Sequence, residues 1–200
     1  MTPDERIANY ERETGWKDPP WLHRPSGCIL GHWVMGNDYR VKSGYHGGYP
    51  ATYLRRIKAL FPDKRRALHL FAGKVDTETF PGKTCDVRAD LAPDYLDNAE
   101  TMESVPLGEF DIVLADPPYT GEDAERYGSP MVNRNKVMVA LTRLRPGAHV
   151  VWLDQTLPLY RKADWRVTAR IGVTRSTAHR FRVVTVFERR ECFTGEDLGL

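Results

Sequence analysis

Residues 110–119 read FDIVLADPPY, an apolar run followed by an acid, two prolines and a tyrosine. The consecutive apolar residues at 112–114 are typical of a strand that is covered on both faces of a parallel sheet. The two prolines end this strand because neither has an N–H group to donate to a neighbouring strand. The pattern therefore predicts a buried strand that presents Asp116 and Tyr119 at its carboxyl end, where open α/β sheets bind ligands.

The four residues after this run suit the activation of an aromatic amine. An exocyclic amino group on a nucleobase is a poor nucleophile because its lone pair is delocalised into the ring. The Asp116 carboxylate and the Pro117 carbonyl can accept hydrogen bonds from the amino hydrogens and so free that lone pair, while Pro118 keeps the backbone rigid. Tyr119 can stack on a base that has left the duplex. The structural alternative is a proline-rich turn whose acid caps the next helix.

The tetrapeptide Asp116-Pro117-Pro118-Tyr119 resembles the fourth motif of the amino-group DNA methyltransferases, which methylate adenine N6 or cytosine N4 with S-adenosylmethionine. The resemblance covers about residues 45–190. It implies a Rossmann-like α/β fold with a seven-stranded, mostly parallel sheet, an antiparallel last strand and flanking helices. It also implies an enzyme that methylates DNA, with adenine N6 as the expected target. The same tetrapeptide occurs in RNA guanine-N2 methyltransferases, so an RNA enzyme acting on guanine N2 or adenine N6 is the alternative.

The first cofactor motif is expected after a strand at residues 67–72. Phe71-Ala72-Gly73 resembles the Phe-x-Gly-x-Gly motif of the family, which implies that these three residues bind the cofactor. Val75 stands where the family has its second glycine. This departure puts the local geometry of the loop in question.

Acidic residues follow the next two predicted strands. Asp86 is the candidate to accept hydrogen bonds from ribose hydroxyls, as acids after the second strand do in nucleotide-binding folds, and Asp90 is the alternative. The resemblance places Asp97 and Asn98 against the cofactor adenine. A surface turn rich in Asp and Asn would have the same composition.

The remaining sequence predicts three parts: an N-terminal extension with loops at 1–50 that can act as a lid, a catalytic domain at 51–190 and a tail at 191–200. Residues 47–54 (GGYPATYL) are at the position where the family closes over the methionine end of the cofactor. Residues 120–134 predict a mobile loop or broken helix over the substrate side. The predicted helices are 4–15, 51–60 and 135–144; the predicted strands are 28–35, 67–72, 84–87, 93–99, 110–114, 149–153, 166–173 and 182–188.

Composition describes one globular domain, with 200 residues of which 41% are hydrophobic and 28% are charged. The net charge is only +2, so that a site for a polyanion must be a local patch. Three scattered cysteines do not suggest a disulfide framework. Without a signal sequence or a membrane-length apolar run, we expect a cytoplasmic protein with no membrane partner.

No metal is expected. His23, Cys28 and His32 lie close together in sequence, but their spacing matches no standard zinc pattern. The sulfonium of the implied cofactor is already an activated methyl donor, so that the chemistry needs no metal.

The chain has no room for a separate target-recognition domain. The order of its motifs resembles the γ order of the family with the recognition part missing. Specificity is then low, or a homodimer or another partner supplies it, or the substrate is not duplex DNA. A non-catalytic module that binds nucleic acid is the more distant alternative. Its contacts would be Arg55, Arg56, Lys64, Arg65, Arg66 and the basic segment Arg175–Arg182.

Overall fold

The computed structural model describes residues 1–16, 18–36, 48–50, 52–176 and 178–191. The helices are α1 (Pro3–Thr14), α2 (Tyr53–Leu60), α3 (Gly121–Tyr127) and α4 (Arg134–Ala140). The strands are β1 (Trp21–His23), β2 (Cys28–Met35), β3 (Ala67–Leu70), β4 (Gly82–Asp86), β5 (Tyr95–Leu96), β6 (Ile112–Ala115), β7 (His149–Asp154), β8 (Trp165–Arg175) and β9 (Ala178–Arg189). No helix in these ranges combines the length and the apolar character needed to cross a bilayer.

All the described strands form one sheet in the order β1-β2-β8-β9-β7-β6-β3-β4-β5. The last strand, β9, lies antiparallel between β7 and β8, as predicted. The predicted count of seven strands is wrong, because the N-terminal pair β1 and β2 extends the sheet beyond β8. Ile29, Trp33 and Met35 are buried on one face of β2 while His32 and Val34 are exposed, so this segment is a half-covered strand.

The core packs on both faces of the sheet. Along β6, Ile112 and Leu114 join one hydrophobic cluster, and Val113 and Ala115 join the other. All four side chains are at most 1% exposed, which confirms the predicted buried strand. The first cluster includes residues of α1 and α2, and the second includes residues of α4.

The predicted flanking helices are present over β6 and β7 but incomplete over β3, β4 and β5. Residues 71–81, which connect β3 to β4, form turns and contain no helix. The connection from β4 to β5 contains only the short 3₁₀ turn Ala89–Leu91. The segment FAGKVDTETFP has no apolar residues at helical spacing, which explains why no crossover helix forms there.

The parallel strands diverge from a switch point between β3 and β6. β3 pairs with β4 on one side and with β6 on the other, and Leu70 is opposite Ala115. The residues that follow these two strands, 71–73 and 116–119, therefore lie next to each other. In Rossmann-like sheets this crevice is where ligands bind.

Candidate active site

Asp116 is the first residue after β6 and lies at the switch point. Its Oδ1 accepts a hydrogen bond from the Tyr119 hydroxyl group. The carboxyl group is partly accessible to solvent, but the surrounding protein desolvates it and raises the pKa of Asp116 from 3.8 to about 7. The Tyr119 hydrogen bond and the charge of Arg182 oppose this shift. Near neutral pH the charge of Asp116 therefore responds to any charged group placed beside it.

Arg134 of α4 fixes the backbone that follows Asp116. Its Nη2 donates to the carbonyl oxygens of Pro118 and Tyr119, both at 3.2 Å. Arg134 is itself held by Asp154 at the end of β7, with 2.6 Å between Nε and Oδ2. The carbonyl of Pro117 has no hydrogen-bond partner in the described part of the chain. The predicted second acceptor is thus the carbonyl that this network leaves unoccupied.

Two tyrosines and an arginine form a polar wall near Asp116. The rings of Tyr49 and Tyr53 stack 4.9 Å apart, and Arg182 Nη1 donates to the Tyr119 hydroxyl over 3.2 Å. Within the described ranges, both tyrosine hydroxyls and Arg182 Nε are buried without a hydrogen-bond partner. Burial, together with the charge of Asp116, raises the pKa of Tyr49 and Tyr53. Because unpartnered buried polar atoms are costly, this wall favours a polar ligand group against it.

The loop after β3 is tied to the end of β4 by Asp86. The N–H of Gly73 donates to Asp86 Oδ2 at 2.9 Å, and the N–H of Arg88 donates to Oδ1 at 3.0 Å. Phe71 and Gly73 both adopt left-handed backbone angles, with φ of 59° and 53°. Each oxygen of Asp86 can accept a further hydrogen bond, so Asp86 keeps the acceptor capacity that the predicted contact with ribose hydroxyls requires.

Phe71 and Val75 are turned toward the protein core. The ring of Phe71 meets Trp152 edge-on at 6.5 Å. Val75 packs partly against the core and also lines a cleft of about 540 Å³ that includes Gly73 and Asp90. This cleft lies on the β4 side of the switch point, and Asp116 is not among its lining residues.

Asp97 and Asn98 stabilise the turn after β5. Asp97 accepts hydrogen bonds from the N–H groups of Asn98 and Ser104, each at 2.7 Å, and Asn98 Oδ1 accepts from the N–H of Glu100 at 2.9 Å. The N–H of Asp97 donates to the carbonyl of Asp86 at 3.1 Å, which brings the two predicted acids to neighbouring strand ends. The adenine contacts of Asp97 and Asn98 stay predictions.

Helix α3 occupies the segment predicted to cover the substrate side. Asp123 forms an ion pair with Arg180 at the start of β9. The carbonyl of Tyr127 accepts a hydrogen bond from Arg88 Nη1, after β4, at 2.6 Å. Since β9 and β4 lie on opposite sides of β6, α3 crosses the edge of the sheet where Asp116 is located.

Arg56 was a candidate nucleic-acid contact on the exposed side of α2, and that prediction is wrong. Its guanidinium lies 3.4 Å from the ring centre of Trp16 and donates to the Tyr10 hydroxyl at 3.2 Å, so the side chain is buried. Arg55 and Lys64 donate to backbone carbonyl groups at 3.0 Å. Cation–π stacking on residues distant in sequence keeps Arg56 inside.

Several predictions fall on residues beyond those described. Residues 37–47, 51, 177 and 192–200 lie outside the described ranges, and with them part of the segment 47–54, the tip of the β8–β9 hairpin and most of the predicted tail. Among the residues that are described, no group of three or more His, Cys, Asp or Glu side chains could hold a metal ion.

Arg134, Asp154 and Arg182 were not predicted as parts of the site. Asp154 has a recognisable signal, because it ends a fully buried strand, much as Asp116 directly follows one. Arg134 and Arg182 are identified only by contacts across 15 or more positions of the sequence.

No protein-family model and no curated protein matches the chain. Among solved structures, the N-methyltransferase NodS from Bradyrhizobium japonicum WM9 is 13% identical, with 70% of this chain and 94% of NodS covered and a TM-score of 0.48. NodS in complex with S-adenosyl-L-homocysteine is 14% identical, with 93% and 99% covered and a TM-score of 0.48. The mitomycin 7-O-methyltransferase MmcR is 13% identical, with 70% and 56% covered and a TM-score of 0.39. At TM-scores below 0.5 these similarities carry no argument about function, which must rest on the site itself.

The buried Arg134–Asp154 pair should be far more important for stability than an exposed pair. In Arg134→Ala, Asp154 is 1% exposed and loses the cation that balances its charge, which should lower the free energy of unfolding by about 3–5 kcal/mol. Urea unfolding followed by tryptophan fluorescence measures this change. Arg24→Ala removes an arginine from an exposed pair with Asp4 and should have little effect. Equal effects of the two substitutions would contradict this interpretation.

Proposed function

We propose that this protein is an S-adenosylmethionine-dependent methyltransferase that acts on an exocyclic amino group of a nucleobase, with adenine N6 in DNA as the expected target. The single observation that carries the proposal is the pair of acceptors at the switch point. The desolvated Asp116 carboxylate and the Pro117 carbonyl, which has no partner among the described residues, follow the same buried strand. Two acceptors on one rigid segment match the two hydrogens of an aromatic amine.

The residues at the β3 and β4 ends fit the cofactor. Gly73 has the left-handed conformation that lets a backbone turn closely past a ligand, and Asp86 keeps acceptor capacity for ribose hydroxyls. Phe71, Ala72, Gly73 and Asp86 would hold the cofactor, with Asp97 and Asn98 on its adenine side. A bound S-adenosylmethionine supplies an activated methyl group on a positively charged sulfur. That cation suits Asp116, since a nearby positive charge favours the ionised carboxylate.

In the proposed mechanism, the side chain of Asp116 orients the amine and then takes its proton. The ionised carboxylate and the Pro117 carbonyl each accept one amino hydrogen, which releases the nitrogen lone pair from the ring. A bound cofactor would supply the methyl group, and the methylated nitrogen would then carry an acidic N–H proton. Asp116 is positioned to accept it, and its pKa of about 7 allows release to solvent afterwards.

The aromatic ring of Tyr119 would support the target base. Arg180 and Arg182 lie 4.8 Å and 5.8 Å from the ring centre, and the Tyr119 hydroxyl is engaged with Asp116. A base stacked on this ring would replace a guanidinium group, and its amino group would replace the tyrosine hydroxyl on Oδ1. Both exchanges substitute one favourable contact for another.

Asp116→Asn should separate catalysis from cofactor binding. The amide keeps the shape but loses the charge and the proton acceptor, so we expect methyl transfer to fall by about 10²–10⁴-fold. Transfer of tritium from labelled cofactor into DNA and into RNA measures this loss, and the same assay identifies the nucleic-acid class. Calorimetry should show that S-adenosylhomocysteine, whose sulfur is neutral, binds Asp116→Asn within a few-fold of the wild-type affinity.

Glu109→Gln is the matched control, because Glu109 is exposed and lies before β6, at the opposite edge of the sheet. It should transfer methyl groups normally. Asp86→Ala and Phe71→Ala should weaken S-adenosylhomocysteine binding. Asp116→Asn that keeps most of its activity on every substrate would exclude the mechanism, and unchanged affinity in both other variants would exclude the cofactor pocket.

The rate of methyl transfer should depend on the ionisation of Asp116. Because burial raises its pKa to about 7, the carboxyl group is protonated below that pH and loses its acceptor role. We therefore expect kcat/KM for the cofactor, which reports the free protein, to level off above about pH 7 and to fall by up to about tenfold per pH unit below it. Initial rates at low cofactor concentration between pH 5.5 and 9 provide the measurement. A kcat/KM that stays constant down to pH 5.5 would show that Asp116 is not the titrating acceptor.

A further inference from the structure

The four strands beyond β7 form an arginine-rich part of the sheet, which we call the wing: β1, β2, β8 and β9. These strands contain six arginines and one acidic residue. The acid, Glu188, is bound to Arg166 at 2.5 Å. Arg170 and Arg175, both exposed, have no ion-pair partner among the described residues. Arg175 is opposite the buried Met35 in the register, so that of these two only Arg170 lies on the face that carries His32. An exposed, unpaired arginine in an arginine-rich region of a protein whose net charge is only +2 suits contact with a polyanion.

The outer face of the wing carries exposed aromatic rings. His32 and Phe181 stack with 6.3 Å between ring centres and 27° between their planes. Phe181 is 54% exposed and Trp21, on β1, is 55% exposed. An added Cβ at Gly172 would lie 2.9 Å from the Phe181 ring and 3.1 Å from His32. Glycine at this position therefore leaves room for both rings against the sheet, while the Phe181 side chain stays about half exposed.

The two faces of the wing differ in what covers them. Ile29, Trp33, Ile171 and Val184 belong to the core cluster that includes α1 and α2. The alternate residues, with His32 opposite Gly172 in the register, form the outer face. The exposure of the aromatic residues there shows that no described element covers them.

The start of β9 joins this aromatic face to the proposed active site. Arg182, whose guanidinium group lies near the Tyr119 ring, is opposite the buried Val173 in the register, whereas the Phe181 ring lies over Gly172 on the other face. A strand of nucleic acid whose target base reached Asp116 would therefore cross the start of β9 to reach Phe181.

We propose that the outer face of the wing binds a nucleic-acid strand through unpaired bases next to the target, a role that rests on the proposed function for its substrate. The bases stack on the ring pair of Phe181 and His32, and the phosphates contact Arg170, which alternates with the core residues Ala169 and Ile171 and so lies on the same outer face. Exposed aromatic rings accept any base, and an arginine contacts a phosphate whatever the sequence. The wing thus provides a binding surface for the substrate strand.

Fluorescence anisotropy with labelled 12-nucleotide strands of DNA and of RNA, and with the corresponding duplex, tests this proposal. Phe181→Ala should weaken binding of the single strand by about tenfold, since one stacked base is lost. Phe181→Trp should bind with an affinity within about twofold of the wild type, because the indole also stacks on a base. This recovery would show that the weaker binding of Phe181→Ala does not result from misfolding. Arg170→Ala should reduce the slope of the logarithm of the binding constant against the logarithm of the salt concentration by about one, because one counterion fewer is released. Leu159→Ala, at a leucine that is 74% exposed in the β7–β8 connection, is the control and should bind like the wild type.

Unchanged single-strand affinity in Phe181→Ala would overturn the proposal. So would sedimentation data in which wild type is a dimer and Phe181→Ala a monomer, because the face would then bind a second copy. Since these experiments measure binding, they separate the two proposals. If the protein transfers methyl groups but Phe181→Ala binds nucleic acid like the wild type, only the wing proposal is rejected. If Phe181→Ala weakens binding but the wild type methylates no substrate, only the catalytic proposal is rejected.

Discussion

The desolvation of the Asp116 carboxylate at the switch point is the constraint on which the rest of the site depends. Transfer of a carboxylate away from water is costly unless hydrogen bonds and charges compensate it. Here Tyr119 and Arg182 compensate only in part, and the pKa of Asp116 remains raised to about 7. Tyr49 and Tyr53 add buried hydroxyl groups without partners in the described structure. The protein therefore holds a group that a cationic ligand and a hydrogen-bond donor would both stabilise.

Two aspartates at neighbouring strand ends have different roles because their surroundings differ. Asp154 is the last residue of β7 and Asp116 directly follows β6, but Arg134 and the indole of Trp152 satisfy the carboxylate of Asp154. The pair of Arg134 and Asp154 then holds two carbonyl groups of the loop that contains Asp116. One acid is thus neutralised and supports the frame, while the other keeps unused acceptor capacity. Pre-organisation of this kind is the main means by which an enzyme without a covalent intermediate lowers a barrier.

The sequence predicted those features that depend on local patterns. Consecutive apolar residues before two prolines predicted β6 and its end, and alternation of side chains predicted the β8–β9 hairpin. The pairing of β2 with β8 could not be predicted in this way, because it joins segments that are about 140 positions apart. Arg56 was misplaced for a similar reason, since the tryptophan rings that cover it lie on other elements. Asp86 ends β4 and Asp97 directly follows β5, but the sequence did not reveal that Asp97 also caps its own turn.

Nucleoside mass spectrometry on a methylation-deficient host that expresses the protein tests the central claim most directly. If Asp116 and the Pro117 carbonyl activate an exocyclic amine, DNA from cells with the wild-type protein should contain N6-methyladenine. Cells with the Asp116→Ala variant at equal expression should contain none. A methyl group found only on a ring carbon or a ribose oxygen, or found equally with Asp116→Ala, would contradict the claim.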